Sequence, residues 1–398
     1  MVSWLADDSG FVTPDVERRY VRYAQGGVGM IVLEAMGIRD VNSGPLLRIG
    51  HDRFVPGVRQ LAHKVHAAGE AHGGVRVIPQ IIDFLKTARR DPARALQRLE
   101  VRYPGCSGWD EDTLRARLTP REWRDYAHGY RQQVEDLSLD ELRALPGLFA
   151  AATRRAREAG FDGVELHFAH AYTLASFLSR TNARTDDYGG SLENRLRLPL
   201  EVVAAVRAEV GHDFMVGCRM LGRDDVEGGT ELDEAVAIAV ALARAGLDFV
   251  SVSRGGRFED AKRPAIGEAA YPYTGPSGLA CMPTKHFAEG VNLQLPRAIR
   301  AGRRAAGLHT PVVGAGRINR YEVAEGALQS GDCDVVGMAR GLLADPDWPR
   351  KVAAGREADV HACKYTNVCE ALDRKHMAVR CQLWMKRPDG GLHPPDVW

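Results

Sequence analysis

Residues 141–167 read E-L-R-A-L-P-G-L-F-A-A-A-T-R-R-A-R-E-A-G-F-D-G-V-E-L-H. Apolar residues recur at three- and four-residue spacing as far as 159, which is the helical period. Ala159 and Gly160 then mark a stop, because glycine takes the left-handed backbone that ends a helix. A short apolar run follows and closes on a polar residue, His167. Such a continuous run reads as a strand buried on both faces. The same unit recurs along the chain. Strands are read at 28–35, 75–80, 162–167, 214–220, 247–253, 311–316 and 334–339, and helices at about 53–69, 141–159, 191–209, 230–245, 293–306 and 319–329. The helix at 230–245 also ends in Ala-Gly, and Thr230 with Asp233 has the pattern of a helix start.

Strict alternation of strand and helix implies a parallel sheet covered by helices. It closes either as an open doubly wound sheet or as a barrel. No G-x-G-x-x-G follows the first strand, and Gly26-Gly27-x-Gly29 lies on its wrong side. Glu34, Gln80, His167, Arg219, Ser253, Arg317 and Arg340 instead stand at or near successive strand ends. Active sites of barrels are assembled from many strand ends in this way. The reading is therefore a (β/α)8 TIM barrel. Seven strands are counted where a closed barrel needs eight. A helix-like segment at 15–25 precedes the first of them, so the first strand is expected to be truncated or missing at the N-terminus. The other possibility is a short strand overlooked elsewhere.

The 398 residues would suit two or three average domains, but one barrel with insertions is also an ordinary use of this length. We read 1–355 as the barrel, with insertions at 81–140 and 254–292, and 356–398 as a C-terminal extension. The first insertion carries Trp109 and Trp123, and the second contains Y-P-Y-T-G-P-S-G at 271–278. Long loops at that end of a barrel shape access to the site. Lys and Arg total 53 against 52 Asp and Glu, a net charge of +1, which excludes a globally basic nucleic-acid binder. No apolar run reaches 18 residues and the first residues lack the layout of a signal peptide, so a cytoplasmic enzyme without a membrane span is expected. Seven cysteines, an odd number and mostly dispersed, do not describe a disulfide scaffold.

The chemistry concentrates at E-L-H-F-A-H-A-Y, residues 165–172. His167 and His170 could donate hydrogen bonds to an oxygen that gains negative charge. Tyr172 could deliver a proton. Two readings compete with this: polar residues satisfied beside a turn, or a zinc site with Glu165 as third ligand. G-A-G-R-I at 314–318 and G-M-A-R-G at 337–341 each place backbone N–H groups and an arginine where a helix opens. The last two strands of a barrel are its usual phosphate site, for a substrate or a cofactor alike, although either loop alone could be a plain turn. Gln80 offers a donor and an acceptor to a ring edge, or belongs to a polar layer. Arg219 would stabilise an anionic ring edge, as in a flavin site. No lysine stands at a strand end, as an aldolase would want.

R-T-D-D-Y-G-G-S-L-E-N-R at 184–195, G-M-A-R-G-L-L-A-D-P-D-W-P at 337–349 and Y-A-Q-G-G-V-G-M-I-V-L-E-A at 23–35 resemble signatures of the Old Yellow Enzyme family of FMN-dependent ene-reductases. The branch of 2,4-dienoyl-CoA reductase-like proteins is included, and the likeness covers about residues 10–381. The resemblance implies FMN at the barrel mouth, reduced by NADH or NADPH. Hydride then passes from flavin N5 to the β-carbon of an activated alkene. It implies His167 and His170 on the activating carbonyl and Tyr172 as proton donor. Ala35, Gln80 and Arg219 would meet the flavin ring, and Gly316, Arg317, Ala339 and Arg340 its phosphate. The expected partner is a small molecule with an activating carbonyl, and a homo-oligomer is compatible with the sequence. The alternatives are oxidative demethylation of an amine, or a degenerate barrel without catalysis.

Three departures accompany the likeness, the first at the opening strand, whose Ala-Pro-Met-like end in the family is matched here only by Met1. Gln80 is followed by I-I-D-F-L-K, with Asp83 and Lys86 where many relatives carry His and Arg. The branch with an iron–sulfur cluster carries four cysteines after the barrel; here only Cys363, Cys369 and Cys381 remain, and Tyr365 or Thr366 stands in place of the second. Four soft ligands at set spacing hold a four-iron cluster. Three are expected instead to pack as small apolar groups with no metal bound, the alternatives being a labile cluster or a zinc site.

Overall fold

The computed structural model describes residues 1–40, 44–83, 100–101, 110–117, 133–134, 137–170, 172–182, 184–225, 228–255, 280–285 and 287–385. Most of both insertions, including 271–278, Trp109, Trp123 and Lys86, and the tail beyond 385 lie outside the described residues. Seven strands form one parallel sheet: β1 (Met30–Gly37), β2 (Arg76–Ile82), β3 (Gly163–Phe168), β4 (Met215–Leu221), β5 (Phe249–Ser253), β6 (Val312–Gly314) and β7 (Val335–Val336). Their spatial order is their chain order, and every pair is parallel. Helices alternate with them: α1 (Pro14–Gln25), α2 (Val55–Glu70), α3 (Leu139–Glu158), α4 (Thr173–Leu178), α5 (Leu192–Val210), α6 (Leu232–Arg244), α7 (Gln294–Ala305), α8 (Tyr321–Gln329) and α9 (Arg340–Ala344). This is a TIM-barrel-like α/β fold whose sheet is open between β1 and β7.

The sheet is curled. Ile78 of β2, Phe249 of β5 and Val313 of β6 form one buried cluster, with Met30 and Val32 of β1 and Met215 of β4 packed on it. A flat sheet could not bring side chains from such separated strands together. A Cβ on Gly217 would sit 2.2 Å from the Phe249 ring, so the missing side chain on β4 makes room for that plug. The outer face carries the main core. It runs from α1 through the helices, with Leu33, Met36, Leu61, Phe149, Phe168 and Phe177 fully buried. Every residue of β3 and of β5 is buried, as central strands covered on both faces require.

Several local expectations are met and others are not. α3 opens on a capping box between Ser138 and Glu141. Ala159 and Ala245 are the C-caps of α3 and α6, each followed by a left-handed glycine, Gly160 and Gly246. The start signal at Thr230 is not used. α6 begins at Leu232, and the Thr230 hydroxyl instead accepts from the backbone N–H of Arg180. β6 and β7 are shorter than read. Gly316 (φ 130°) turns the backbone out of the extended region after β6, and β7 has only one neighbour, leaving Val335 40% exposed.

Residues 1–13 add no strand to the sheet. Ser3 instead donates its backbone N–H to the Glu34 carboxylate (2.8 Å) and accepts the N–H of Val379 (2.9 Å). Trp4 joins a second apolar cluster with Leu46, Leu343, Ala344, Cys369, Val379 and Cys381. The residues beyond 355 are thereby stitched to the rest: Arg19 donates to the carbonyl of Val379, and Trp384 to that of Ala344.

Candidate active site

Side chains alternate along a strand, so the residues that share a face with the apolar plug emerge above it at the C-terminal ends. Parallel register then aligns them. Ala35 pairs with Gln80 and Gln80 with Glu165; two residues further along β3, His167 pairs with Arg219 and Arg219 with Ser251. The Gln80 amide donates to Glu165 Oε1 at 2.5 Å. Arg219 donates from Nη1 to Ser251 Oγ (3.3 Å) and from Nη2 to Ser253 Oγ (3.2 Å). Burial pushes the Glu165 carboxyl up, while Arg219 and the Gln80 bond pull it back. Glu165 is thus a partner of Gln80 and Arg219. Among the described residues no group of three or more His, Cys, Asp and Glu has the arrangement of a metal site.

His167 and His170 are both buried and meet each other: His170 Nδ1 lies 3.2 Å from His167 Nε2. His170 Nε2 continues to Ser253 Oγ at 2.7 Å. His170 stands in a left-handed backbone (φ 59°), which turns its ring back over β3 toward the serine of β5. Donors that are unambiguous set the direction of this chain. The Ala169 N–H points at His167 Nδ1 (3.4 Å), which makes Nδ1 an acceptor. His167 Nε2–H then donates to His170 Nδ1, and His170 Nε2–H to Ser253 Oγ. That oxygen also accepts from Arg219, so its own proton points elsewhere. Burial above all, then Arg219, lowers the His167 pKa to about 3. Burial, then His167 and Arg219, lowers that of His170 well below the usual histidine value. Both rings are therefore neutral near pH 7 and act as hydrogen-bond donors rather than cations.

Tyr172 is half-buried at the start of α4, its ring edge-on to His167 with centroids 5.3 Å apart. The Asp83 carboxylate accepts from Thr173 at that same helix start (2.9 Å) and from Nε and Nη2 of Arg39. Asp83 therefore braces the loop that carries Tyr172.

The second group of expected residues gathers after β6 and β7. Gly316 is left-handed, and a Cβ there would lie 2.8 Å from that of Asn292. Arg317, also left-handed (φ 53°), donates Nη1 to the Lys285 carbonyl, while its buried Nε has no partner. Ala339 precedes Arg340 at the start of α9. Arg340 donates to the Pro283 carbonyl (2.9 Å) and to Asn367 Oδ1 (2.6 Å). Both groups follow the C-terminal ends of strands in one parallel sheet, so they stand at the same edge of it.

The sequence reading places Ser253 at a strand end without giving it a role, and it does not reach Ser251. Their spacing of two in S-V-S would have placed both on the face of Arg219. Tyr365 is the other unforeseen contact, since both arginine side chains lie over its ring. Cys369 and Cys381 pack in the apolar cluster around Trp4, with Cys363 against it, and burial raises all three thiols.

Comparison with known proteins adds three likenesses and a family. The chain matches the NADH:flavin oxidoreductase / NADH oxidase family over residues 1–275 and 297–359. It is 31% identical over 378 residues to an NADH oxidase of Thermoanaerobacter brockii, covering 92% of this chain and 50% of that one. It thus spans about half the length of the first curated relatives it matches. It is 33% identical over 368 residues to the NADH-dependent flavin oxidoreductase iccE of Talaromyces variabilis, covering 88% and 80%. Among solved structures, a 2-naphthoyl-CoA reductase in complex with 2-naphthoyl-CoA superposes with a TM-score of 0.76 at 25% identity, over 96% of this chain and 53% of that one.

Proposed function

The chain belongs to the NADH:flavin oxidoreductase / NADH oxidase family, and from that premise we propose that it is an FMN-dependent oxidoreductase that uses NADH or NADPH to reduce an alkene activated by a carbonyl. One observation carries this reading: a neutral imidazole pair and an arginine pair with an unspent donor stand at the C-terminal edge of one parallel sheet. The residues present suit FMN. The buried, unpartnered Nε of Arg317 wants an acceptor such as a phosphate oxygen.

Bound FMN would supply the redox chemistry, taking hydride from the nicotinamide and giving it to the alkene. Arg317 and Arg340, with Gly316 and Ala339, would hold the phosphate. Gln80 and Arg219 would orient the ring, with Ala35 leaving space beside it. Glu165 and the two serines keep Gln80 and Arg219 in position through the bonds described above. His167 and His170 would polarise the substrate carbonyl. Their N–H groups are committed to each other and to Ser253, so a substrate oxygen must replace one of those bonds. Because both rings are neutral, they stabilise developing negative charge without surrendering a proton to it. Tyr172, half-exposed and next to His167, is then left as the proton donor to carbon.

The test is an anaerobic titration. FMN-loaded protein should be bleached by NADH or NADPH, then recover its absorbance on addition of an enone or dienoyl thioester. Tyr172→Phe should slow the second step by about a hundredfold and leave the first nearly unchanged. Equal loss in both steps removes Tyr172 from the role. Reoxidation by none of the alkenes, together with direct bleaching by a tertiary amine, would move the protein to amine oxidation. Failure to take up FMN would end the reading.

A further inference from the structure

Buried or half-buried arginines in this protein usually face carboxylates: Arg195 meets Glu234, Arg184 meets Asp186, and Arg300 meets Asp334. Arg317 and Arg340 differ, because among the described residues neither forms an ion pair. They share an aromatic ring instead. The guanidinium carbon of Arg317 lies 4.4 Å from the centroid of Tyr365, and that of Arg340 4.9 Å. Tyr365 is 4% exposed and, among the described residues, its hydroxyl has no hydrogen-bond partner. Its segment is anchored at two points. The Tyr365 carbonyl accepts from the Lys285 N–H (3.1 Å), and two residues on, Asn367 receives Arg340 while donating to the Met282 carbonyl (2.7 Å).

A carboxylate and an aromatic face would both orient a guanidinium, with opposite consequences for a third partner. A carboxylate cancels the charge. The negative face of a ring attracts the cation and leaves its charge intact. The carbonyls of Pro283 and Lys285 act the same way, as neutral acceptors. We propose that Tyr365 is the positioning residue of the anion site, its ring face holding Arg317 and Arg340 ready for the phosphate of the flavin cofactor. This rests on the FMN reading above. The role belongs to the ring and not to the hydroxyl, whose lack of any partner shows that no bond of its own keeps it there. Burial also pushes the phenol well above its usual pKa, so it stays neutral and does not become the counter-charge itself.

The experiment compares FMN with riboflavin, which has the same ring system and no phosphate, by quenching of flavin fluorescence on titration with purified protein. Wild type should bind FMN much more tightly than riboflavin. Tyr365→Phe should keep that ratio. Tyr365→Leu should lower it by about tenfold through weaker FMN binding, with riboflavin affinity unchanged. Tyr365→Met, a more adaptable replacement, reads the same ratio should the leucine variant not fold. A wild-type ratio kept in Leu and Met variants overturns the proposal while the FMN reading stands. A lowered ratio in Tyr365→Phe also overturns it, by assigning the effect to the hydroxyl. If wild type itself binds neither flavin, the FMN reading fails and takes the proposal with it.

Discussion

At the level of single residues, burial decides the charge state of the site. His167 carries a pKa of about 3 in the folded chain and an ordinary value near 6.5 when unfolded. Below pH 6.5 the unfolded chain therefore binds a proton that the folded chain refuses. Stability must fall as pH drops from about 6.5 toward 3, and His170, shifted the same way, adds to the slope. His167 contributes at most about 1.4 kcal/mol per pH unit across that window. Denaturant unfolding of His167→Gln between pH 7.5 and 5 should show a shallower decline than wild type, and parallel curves would disprove the buried neutral state. Ser253 is the hinge of the same network, accepting from His170 and from Arg219. Ser253→Ala strands two donors and should cost about 1–3 kcal/mol in unfolding free energy. Histidines and tyrosine could be read as a cluster from their spacing at 167, 170 and 172. Their neutrality could not, because it comes first from burial and then from the charge of Arg219, both set by residues distant in sequence.

Among the elements, the most specific sequence signature turns out to be scaffolding. In the stretch 184–195, Arg184 pairs with Asp186 and caps the carbonyl of Leu137. Ser191 caps α5, and Arg195 ties the carbonyl of Leu178 to Glu234 of α6. These bonds join α4, α5 and α6 and so fix the loop that carries His170 and Tyr172. Arg195→Ala would leave Glu234 nearly buried with only the exposed Arg180 as partner, and should cost about 3 kcal/mol. Chemical denaturation reads that loss, and a change under about 1 kcal/mol would show the pair to be incidental. Gly316 is the other element boundary with a steric reason. Gly316→Ala must accept both a φ of 130° and a Cβ 2.8 Å from Asn292, at about 1–3 kcal/mol. Gly326→Ala, in open space inside α8, should instead stabilise by about 0.5–1 kcal/mol. Thermal melts of the two variants should move in opposite directions.

For the molecule as a whole, sheet position should govern backbone protection. β3 and β4 are paired on both sides and fully or mostly buried, so their amides should exchange only through global unfolding. Val335 and Val336, on a two-residue edge strand, should exchange by local opening under the same conditions. Uniform protection across the sheet would contradict an open edge at β7. The strand and helix alternation, the parallel pairing and the strand ends that bear polar residues were all determined by sequence, because periodicity and glycine stops are local and act within a dozen residues. Tertiary structure alone decided three things: that the sheet curls around Ile78, Phe249 and Val313; that Thr230 binds Arg180 rather than capping its helix; and that Tyr365 comes to rest against Arg317 and Arg340. Each of these joins residues far apart in the chain. Which of many possible distant contacts forms depends on how the whole set of side chains packs, a quantity that no local stretch of sequence contains.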